Sequence, residues 1–312
     1  MSYREEALTF GCAGEALVGI LVSPKQAGGE PTAADIGVVI IVGGPQYRAG
    51  SHRQFTLLAR ALAAAGYPVL RFDYRGMGDS TGAHRDFQGV SDDVGVAIDE
   101  LQQRQPSVTR VVLWGLCDGA SAALLYLHST RDPRVLGLAL ANPWVRSEAG
   151  LARAQIKHYY LQRLVQPEFW RKVLSGQVGG KAAGEFWHKL SRSLIRDQGN
   201  GIGEANAEVQ APFQQRMAEA ASDFRGKILL LISGNDLTAK EFLERVRQEV
   251  RWRAVMGRDG VTRRDFAHAD HTFSNSEVLQ ALLQLTTNWL RSLDGQFVHA
   301  QDASDAAATT WP

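Results

Sequence analysis

Cys117 sits between Gly115 and Gly119 in "VLWGLCDGASAALL" (112–125), where an apolar run passes through Gly-Leu-Cys-Asp-Gly into small residues and leucines of helical composition. That spacing is the frame of a nucleophile elbow, G-x-S-x-G, with cysteine in the serine position. The frame works because the nucleophile occupies a tight, strained turn between a strand and a helix, which only small flanking residues permit. Ala120, Ser121, Ala122 and Ala123 let the following helix lie close to a sheet. The chemistry such a thiol would do is attack on a carbonyl carbon. The bland alternative is an inert thiol at an ordinary strand-to-helix turn.

A nucleophile needs a base, and the base needs an orienting acid; in this architecture acid and then histidine follow in chain order. "LLLISGNDLTAKEF" closes an apolar run on a Gly-x-Asp turn, which makes Asp236 the candidate acid, and "FAHADHTFS" supplies His271 as the candidate base. His268, three residues earlier, is the competing histidine; it stands nearer the expected strand, where a packed or surface role is the simpler reading. Asp270 and Asp265 compete with Asp236 as orienter, but Asp236 follows the better strand. An oxyanion hole takes one backbone N–H from the residue after the nucleophile, here Asp118, and one from a loop after an earlier strand. In "VGGPQYRAGSHR" that second donor is Gly44 or Gln46, with Gly44 preferred; Pro45 has no N–H to give. Trp144 and Gln46 are the expected substrate contacts, and no metal or other cofactor is called for by these residues.

The elements that must position these groups are legible around them. Nearly continuous apolar runs at 16–22, 37–42, 67–74, 110–114 and 135–141 predict strands, most of them buried on both faces. Between them, 52–66 places Phe55, Leu58, Ala59 and Leu62 on one helical face, and 91–106 opens on Ser-Asp-Asp, a cap followed by two acids. Alternating strands and helices predict an α/β fold with a mostly parallel sheet covered on both sides. After "ANPWVRS" the pattern changes: 146–224 is rich in aromatics, arginine and leucine at helical spacing, without a strand, which predicts a helical lid inserted into the core. Strands resume at 226–236 and 261–268, and a last helix covers 275–293. The expected organisation is therefore a first core segment, 1–145; the insertion, 146–224; a second core segment, 225–293; and a polar tail, 294–312, of flexible composition.

Composition narrows the class. The 312 residues carry 34 Lys and Arg against 33 Asp and Glu, a formal net charge of +1, which gives no footing for nucleic acid or an anionic membrane. Two cysteines, Cys12 and Cys117, make neither a disulfide framework nor a zinc site, and a reducing compartment is the simpler inference. "MSYREEALTF" lacks the basic head and apolar body of a signal peptide, and the longest apolar runs are too short to span a bilayer; the expectation is a soluble, cytoplasmic protein without stable membrane insertion. "RGMGDSTG" is not spaced as G-x-G-x-x-G and is not followed by Gly-Lys-Ser/Thr, so it reads as a tight turn beside the site, with Arg75 and Asp79 bracing loops, rather than as a nucleotide loop.

Taken together, the elbow, the acid and histidine in that order, and "LRFDYRGMGDSTG" after the third apolar run resemble the α/β-hydrolase superfamily. More narrowly, "GGPQYRAGSHRQF", "RFDYRGMGDS", "WGLCDGAS", "NPWVR", "YYLQRL" and "ADHTFS", spread over roughly residues 5–293, resemble the first of two hydrolases associated with the bacterial exosortase A system and its exopolysaccharide gene clusters. The resemblance implies an α/β-hydrolase fold, a Cys-Asp-His triad at Cys117, Asp236 and His271, and a setting of envelope polysaccharide or sorted surface proteins; it supplies no substrate. Two departures from the common superfamily pattern are cysteine for serine and Gly43-Gly44 for the usual His-Gly. The first does not imply inactivity, since a thiol beside a histidine can exist as thiolate and form an acyl-enzyme, as in the comparable Cys-His-Asp arrangement of dienelactone hydrolases. It does expose the site to oxidation.

The expected activity is hydrolysis of an ester, thioester or lactone of a small-molecule acyl substrate. Acyl transfer to a sugar hydroxyl or amine is a close variant, and a non-catalytic binding protein on the same fold is the alternative of another class. Trp144, Tyr159, Tyr160, Phe169, Trp170 and Trp187 offer an apolar roof or a docking face, though each alone reads as core of the insertion. Arg146 and Arg163 can meet an anionic group or simply be solvated.

Overall fold

The computed structural model describes residues 2–25, 34–44, 46–146 and 211–294. Eight strands, β1 (Tyr3–Cys12), β2 (Glu15–Pro24), β3 (Ile36–Ile41), β4 (Val69–Asp73), β5 (Arg110–Leu116), β6 (Val135–Ala141), β7 (Lys227–Ser233) and β8 (Val261–Phe266), form one sheet in the order β1-β2-β4-β3-β5-β6-β7-β8. The first two pairings in that order, β1 with β2 and β2 with β4, are antiparallel and the other five parallel. The helices are α1 (Gln54–Ala64), α2 (Ser91–Arg104), α3 (Asp118–Thr130), α4 (Phe213–Asp223), α5 (Leu237–Gln248), α6 (Val250–Met256) and α7 (Ser276–Leu293).

Apolar side chains leave the sheet on both faces. One layer joins Val39, Leu113 and Leu230 to Ile98, Leu124 and Met217 of α2, α3 and α4. The other joins Val38, Trp114 and Leu229 to Phe55, Leu62 and Trp289 of α1 and α7. Every residue of β3 is buried, as a strand covered on both faces requires. β1, by contrast, is a strand that the continuous-run pattern does not reveal: it is an edge strand, and only Leu8, Phe10 and Cys12, alternating with exposed neighbours, turn inward.

The order of the strands places the site. The chain leaves β3 through α1 to β4 on one side, then returns through α2 to β5 on β3's other side, so the direction of winding reverses between β3 and β5. In such sheets the crevice beyond the carboxyl ends at the reversal is where ligands bind. There lie the Gly43-Gly44 turn after β3 and Cys117 after β5.

Of the expected insertion, 147–210 lies outside the described residues, and with it Tyr159, Tyr160, Arg163, Phe169, Trp170 and Trp187; its end forms α4. The tail beyond Asp294 also lies outside them. Among the described residues no helix is long and apolar enough to cross a membrane.

Candidate active site

The elbow is built by backbone. Cys117 follows β5 directly and stands at φ 61°, ψ −125°, a conformation that L-residues rarely adopt and that costs about 1–3 kcal/mol. α3 begins at the next residue, with the Cys117 carbonyl accepting from the N–H groups of Ala120 (3.1 Å) and Ser121 (3.3 Å). Gly115 and Gly119 are needed for close approach: a Cβ at Gly115 would lie 2.4 Å from the Gly119 carbonyl oxygen, and one at Gly119 would lie 2.4 Å from the Ile41 carbonyl oxygen. The second contact presses the elbow against the end of β3. Gly44 of the following turn takes φ +63°, and its neighbour Gly43 lies so near Asp118 that a Cβ there would sit 2.4 Å from Oδ1. The Asp118 carboxyl, at the head of α3, takes the backbone N–H groups of Gly44, Gly119 and its own residue, which ties the Gly43-Gly44 turn to the first turn of the helix.

The acid and the histidine are held by hydrogen bonds between loops. Asp236 caps α5: Oδ1 accepts from the N–H of Thr238 (3.2 Å) and Oδ2 from that of Ala239 (3.0 Å). The same Oδ2 lies 2.9 Å from Nδ1 of His271, an ion-pair distance, with the ring N–H angled off the line between them. Such contacts often tighten only when substrate is bound. The acid turn is clasped to the histidine loop by Gly234 N–H to the Phe266 carbonyl and Asn235 N–H to the Ala269 carbonyl, each 2.9 Å.

Two consecutive residues, the last of β6 and the one after it, connect the halves. The Ala141 carbonyl accepts from the Cys117 N–H (2.9 Å). The Asn142 side chain, wholly buried, donates to the His271 carbonyl (3.1 Å) and to Ser233 Oγ (2.9 Å) and accepts from the Ser233 N–H (2.9 Å). Asn142 stands at φ 44°, which asparagine tolerates better than most residues. Trp144 contributes main chain: its N–H donates to the Cys117 carbonyl (3.2 Å), and its carbonyl accepts from Ser121 Oγ (2.6 Å). Asn142 and Ser121 are site-building residues that motif spacing does not reveal; Asn-Pro as a turn signal was the available hint for the first.

Electrostatics follow from these contacts. The Asp236 side chain raises the proton affinity of His271 above the usual histidine value; burial opposes this, and the charges of Asp236, Asp118 and Asp270 reinforce it. Burial drives Asp236 upward, but His271 and the two capping amides bring it below the usual carboxylate value. Burial raises Asp118, against the N–H groups of Gly44, Gly119 and its own residue.

The competing residues are otherwise engaged. His268 is exposed and offers its carbonyl to the Asn235 side chain (3.4 Å); Asp265 is exposed and pairs with Arg263 (2.8 Å). Asp270 accepts from the N–H groups of Thr272 (3.2 Å) and Ser274 (2.9 Å). Gln46 Oε1 faces its own loop, 3.4 Å from both the Ser51 N–H and Gln54 Nε2. Behind that loop, wholly buried Asp73 accepts from the Arg48 N–H (2.6 Å) and guanidinium and from the Asp79 N–H (3.1 Å), while Arg75 is buried against Asp93 (2.8 Å). Arg75 and Asp79 thus brace loops, and Arg48 joins them. Neither Cys12 nor Cys117 is in a disulfide. Among the described residues no group of three or more His, Cys, Asp or Glu could hold a metal ion.

Comparisons with known proteins agree with this architecture. A family model described as serine aminopeptidase, S33 (Hydrolase_4) matches residues 34–200, which include the Gly43-Gly44 turn and the elbow and end before Asp236. The human protein ABHD12B is 33% identical over 116 residues, 35% of this chain and 31% of its own length, so the chain matches about a third of that curated relative. Among solved structures, the Pyrococcus furiosus esterase Pf2001 superposes with a TM-score of 0.60 at 15% identity, covering 93% of each chain. Est1E from Butyrivibrio proteoclasticus, solved with ferulic acid bound, superposes at 0.58 and 14% identity over 93% of this chain and all of its own. The fold is the α/β-hydrolase fold.

Proposed function

We propose, from the premise that this chain belongs to the serine aminopeptidase S33 (Hydrolase_4) family of α/β-hydrolases, that it is an acyl hydrolase with a cysteine nucleophile. The observation that carries this reading is the strained conformation of Cys117 at a glycine-flanked elbow, φ 61° and ψ −125°, in a sheet whose next loops hold Asp236 and His271 at 2.9 Å. A cysteine at an ordinary turn has no need of that strain.

In the proposed reaction the Cys117 thiol gives its proton to Nε2 of His271, the ring nitrogen not turned toward Asp236. The thiolate forms a bond to the carbonyl carbon of an ester, thioester or lactone, and the carbonyl electrons move onto oxygen, where the N–H groups of Asp118 and Gly44 receive the charge. Collapse expels the alcohol or thiol, which takes the proton from His271. Water, deprotonated by His271, then adds to the acyl-enzyme and returns the thiol. Asp236 holds the imidazole through Nδ1 and balances its charge. Trp144 and Gln46 remain the proposed substrate contacts, with Trp144 the better placed because its main chain is bonded to the elbow. The narrower sequence resemblance puts the substrate in the setting of exosortase-linked exopolysaccharide or surface-protein export; of the expected lid over 146–224, the last part, α4, packs on the sheet as core, so the proposed insertion ends before it.

The test is a short iodoacetamide pulse across pH, read by mass spectrometry on the wild type and on His271→Ala, followed by hydrolysis assays with p-nitrophenyl esters and acyl thioesters. Rapid labelling of Cys117 near neutral pH that disappears in the variant is expected. Labelling at the pH of an ordinary thiol, unchanged by the variant, overturns the reading.

A further inference from the structure

β4 carries two charged residues, Arg71 and Asp73, on one face of an otherwise apolar strand, and both are buried, Asp73 completely. Burying charge costs free energy unless partners restore it, and a buried ion pair is commonly no more stabilising than apolar side chains packed in its place. What the pair supplies here is a fixed position, because both residues bond to Arg48 in the loop after β3. The Arg48 N–H donates to Asp73 Oδ1 (2.6 Å), and its carbonyl accepts from the Arg71 guanidinium (3.2 Å). Its own guanidinium forks between Asp73 Oδ2 and Asp79 Oδ2, the latter at 2.7 Å. Asp73 is fixed in turn by the Asp79 N–H (3.1 Å) and by Gly78, where an added Cβ would lie 2.2 Å from Oδ2.

The near end of the same stretch is fixed at the elbow. A Cβ on Gly43 would lie 2.2 Å from the Leu116 carbonyl oxygen and 2.7 Å from the Gly119 nitrogen, so Gly43 is pressed against backbone on either side of Cys117. Between these two anchors lie Gly44 and Gln46, the candidates for the second oxyanion donor. Gly44 is not wedged in place: a Cβ there would meet nothing within 4 Å. The Gln46 side chain bonds to Ser51 and Gln54, nearby in the chain, at 3.4 Å. At rest the Asp118 carboxyl takes the Gly44 N–H, so in the proposed reaction that amide changes partner while the loop keeps its place.

We propose that Arg48, locked to buried Asp73, is a positioning residue for acylation: it fixes the far end of the Gly44–Tyr47 stretch and so sets where the second oxyanion donor stands relative to Cys117. The proposal rests on the reading of Cys117 as nucleophile and deepens it. Donors stabilise a tetrahedral oxyanion only at hydrogen-bond distance from where the charge develops, and a displacement of about 1 Å can cost about 10²-fold in rate. Arg48 and Asp73 meet no reacting atom in this scheme and act through main chain.

The test sets two reactions of one thiol against each other. Iodoacetamide alkylates Cys117 by loss of iodide from a methylene carbon, and no carbonyl oxygen gains charge. p-Nitrophenyl butyrate acylates it by addition at the carbonyl and expulsion of p-nitrophenolate, a step that calls on the oxyanion donors. Both rates are measured on the full chain as wild type, Arg48→Met and Arg48→Lys, acylation being read as p-nitrophenolate release with enzyme in excess. Arg48→Met is expected to be alkylated within about two-fold of the wild-type rate and acylated about 10²-fold more slowly. Arg48→Lys is expected to recover part of the loss, since one ammonium can meet Asp73 but cannot fork to Asp79 as well. An unchanged ratio of acylation to alkylation in Arg48→Met, whether both rates hold or both fall, overturns the proposal. Should that variant lose its circular-dichroism signature because Asp73 is left buried without its cation, Arg48→Met combined with Asp73→Asn removes both charges and puts the same question with the same two answers. A wild type alkylated only as an ordinary thiol removes the hydrolase reading and this proposal with it, a result distinct from an unchanged ratio on a reactive thiol.

Discussion

The elbow and the acid–histidine pair sit at the same edge of one sheet and are held there by different means. Cys117 is placed by main chain: a positive φ, two glycines at which an added Cβ would lie 2.4 Å from a carbonyl oxygen, and a helix that starts at the next residue. His271 is placed by side chains and loop-to-loop bonds, from Asp236 at 2.9 Å and Asn142 at 3.1 Å. The first arrangement is stiff because any added atom must displace backbone. The second can adjust, since a loop can shift without breaking the sheet. In the proposed reaction, a nucleophile whose position must not vary would thus be paired with a base able to turn between thiol, leaving group and water.

If this contrast holds, damage on the two sides differs in kind. Cys117→Ala should abolish iodoacetamide labelling at that position and lower ester hydrolysis by about 10⁴-fold or more, with thermal unfolding nearly unchanged; retained hydrolysis would remove the cysteine from the mechanism. Asp236→Asn should cost about 10²–10⁴-fold in kcat. It should also lower the pH at which His271 loses its proton, because the Asp236 contact is the largest influence raising it. The imidazolium is favoured below that raised value and lost as pH rises through it, so the variant should hold less thiolate–imidazolium pair near neutral pH, and its labelling profile should shift toward the alkaline one expected of His271→Ala.

Gly115→Ala tests the stiff side: with its Cβ 2.4 Å from the Gly119 carbonyl oxygen, it should destabilise the fold by about 1–3 kcal/mol, read by denaturant titration, and an unchanged midpoint would show that the elbow yields. Asn142→Ala should cost about 1–3 kcal/mol through the buried partners it strands, and should lower kcat more than it raises KM, as expected when the base is misplaced and binding is intact. The smallest effect is expected from His268→Ala, within about 0.5 kcal/mol and with unaltered activity, because the side chain is exposed and only its carbonyl is engaged.

Much of the architecture is legible in the sequence for definite reasons. Strands buried on both faces, such as β3 and β7, announce themselves as unbroken apolar runs, and Asp236 and His271 are legible because each closes a segment at the carboxyl edge of the sheet. β1 escapes the same reading because an edge strand alternates, and its first residues, Arg4, Glu5 and Glu6, look like solvent-exposed chain. Arg48, Asn142 and Ser121 escape it because their roles depend on partners up to 129 residues away, the span from Asn142 to His271.

By itself, the sequence determined the types and order of the groups, cysteine, acid and histidine, and the alternation of strand and helix that brings their loops to one edge. Hydrophobic periodicity and glycine spacing are local and survive in one dimension. Only the tertiary structure decided that the elbow is strained, that Asp236 serves both as helix cap and as partner of His271, and that the Asp118 carboxyl turns inward under Gly43 instead of outward to water. Those outcomes depend on distance and burial, which arise when segments far apart in the chain are packed against one another.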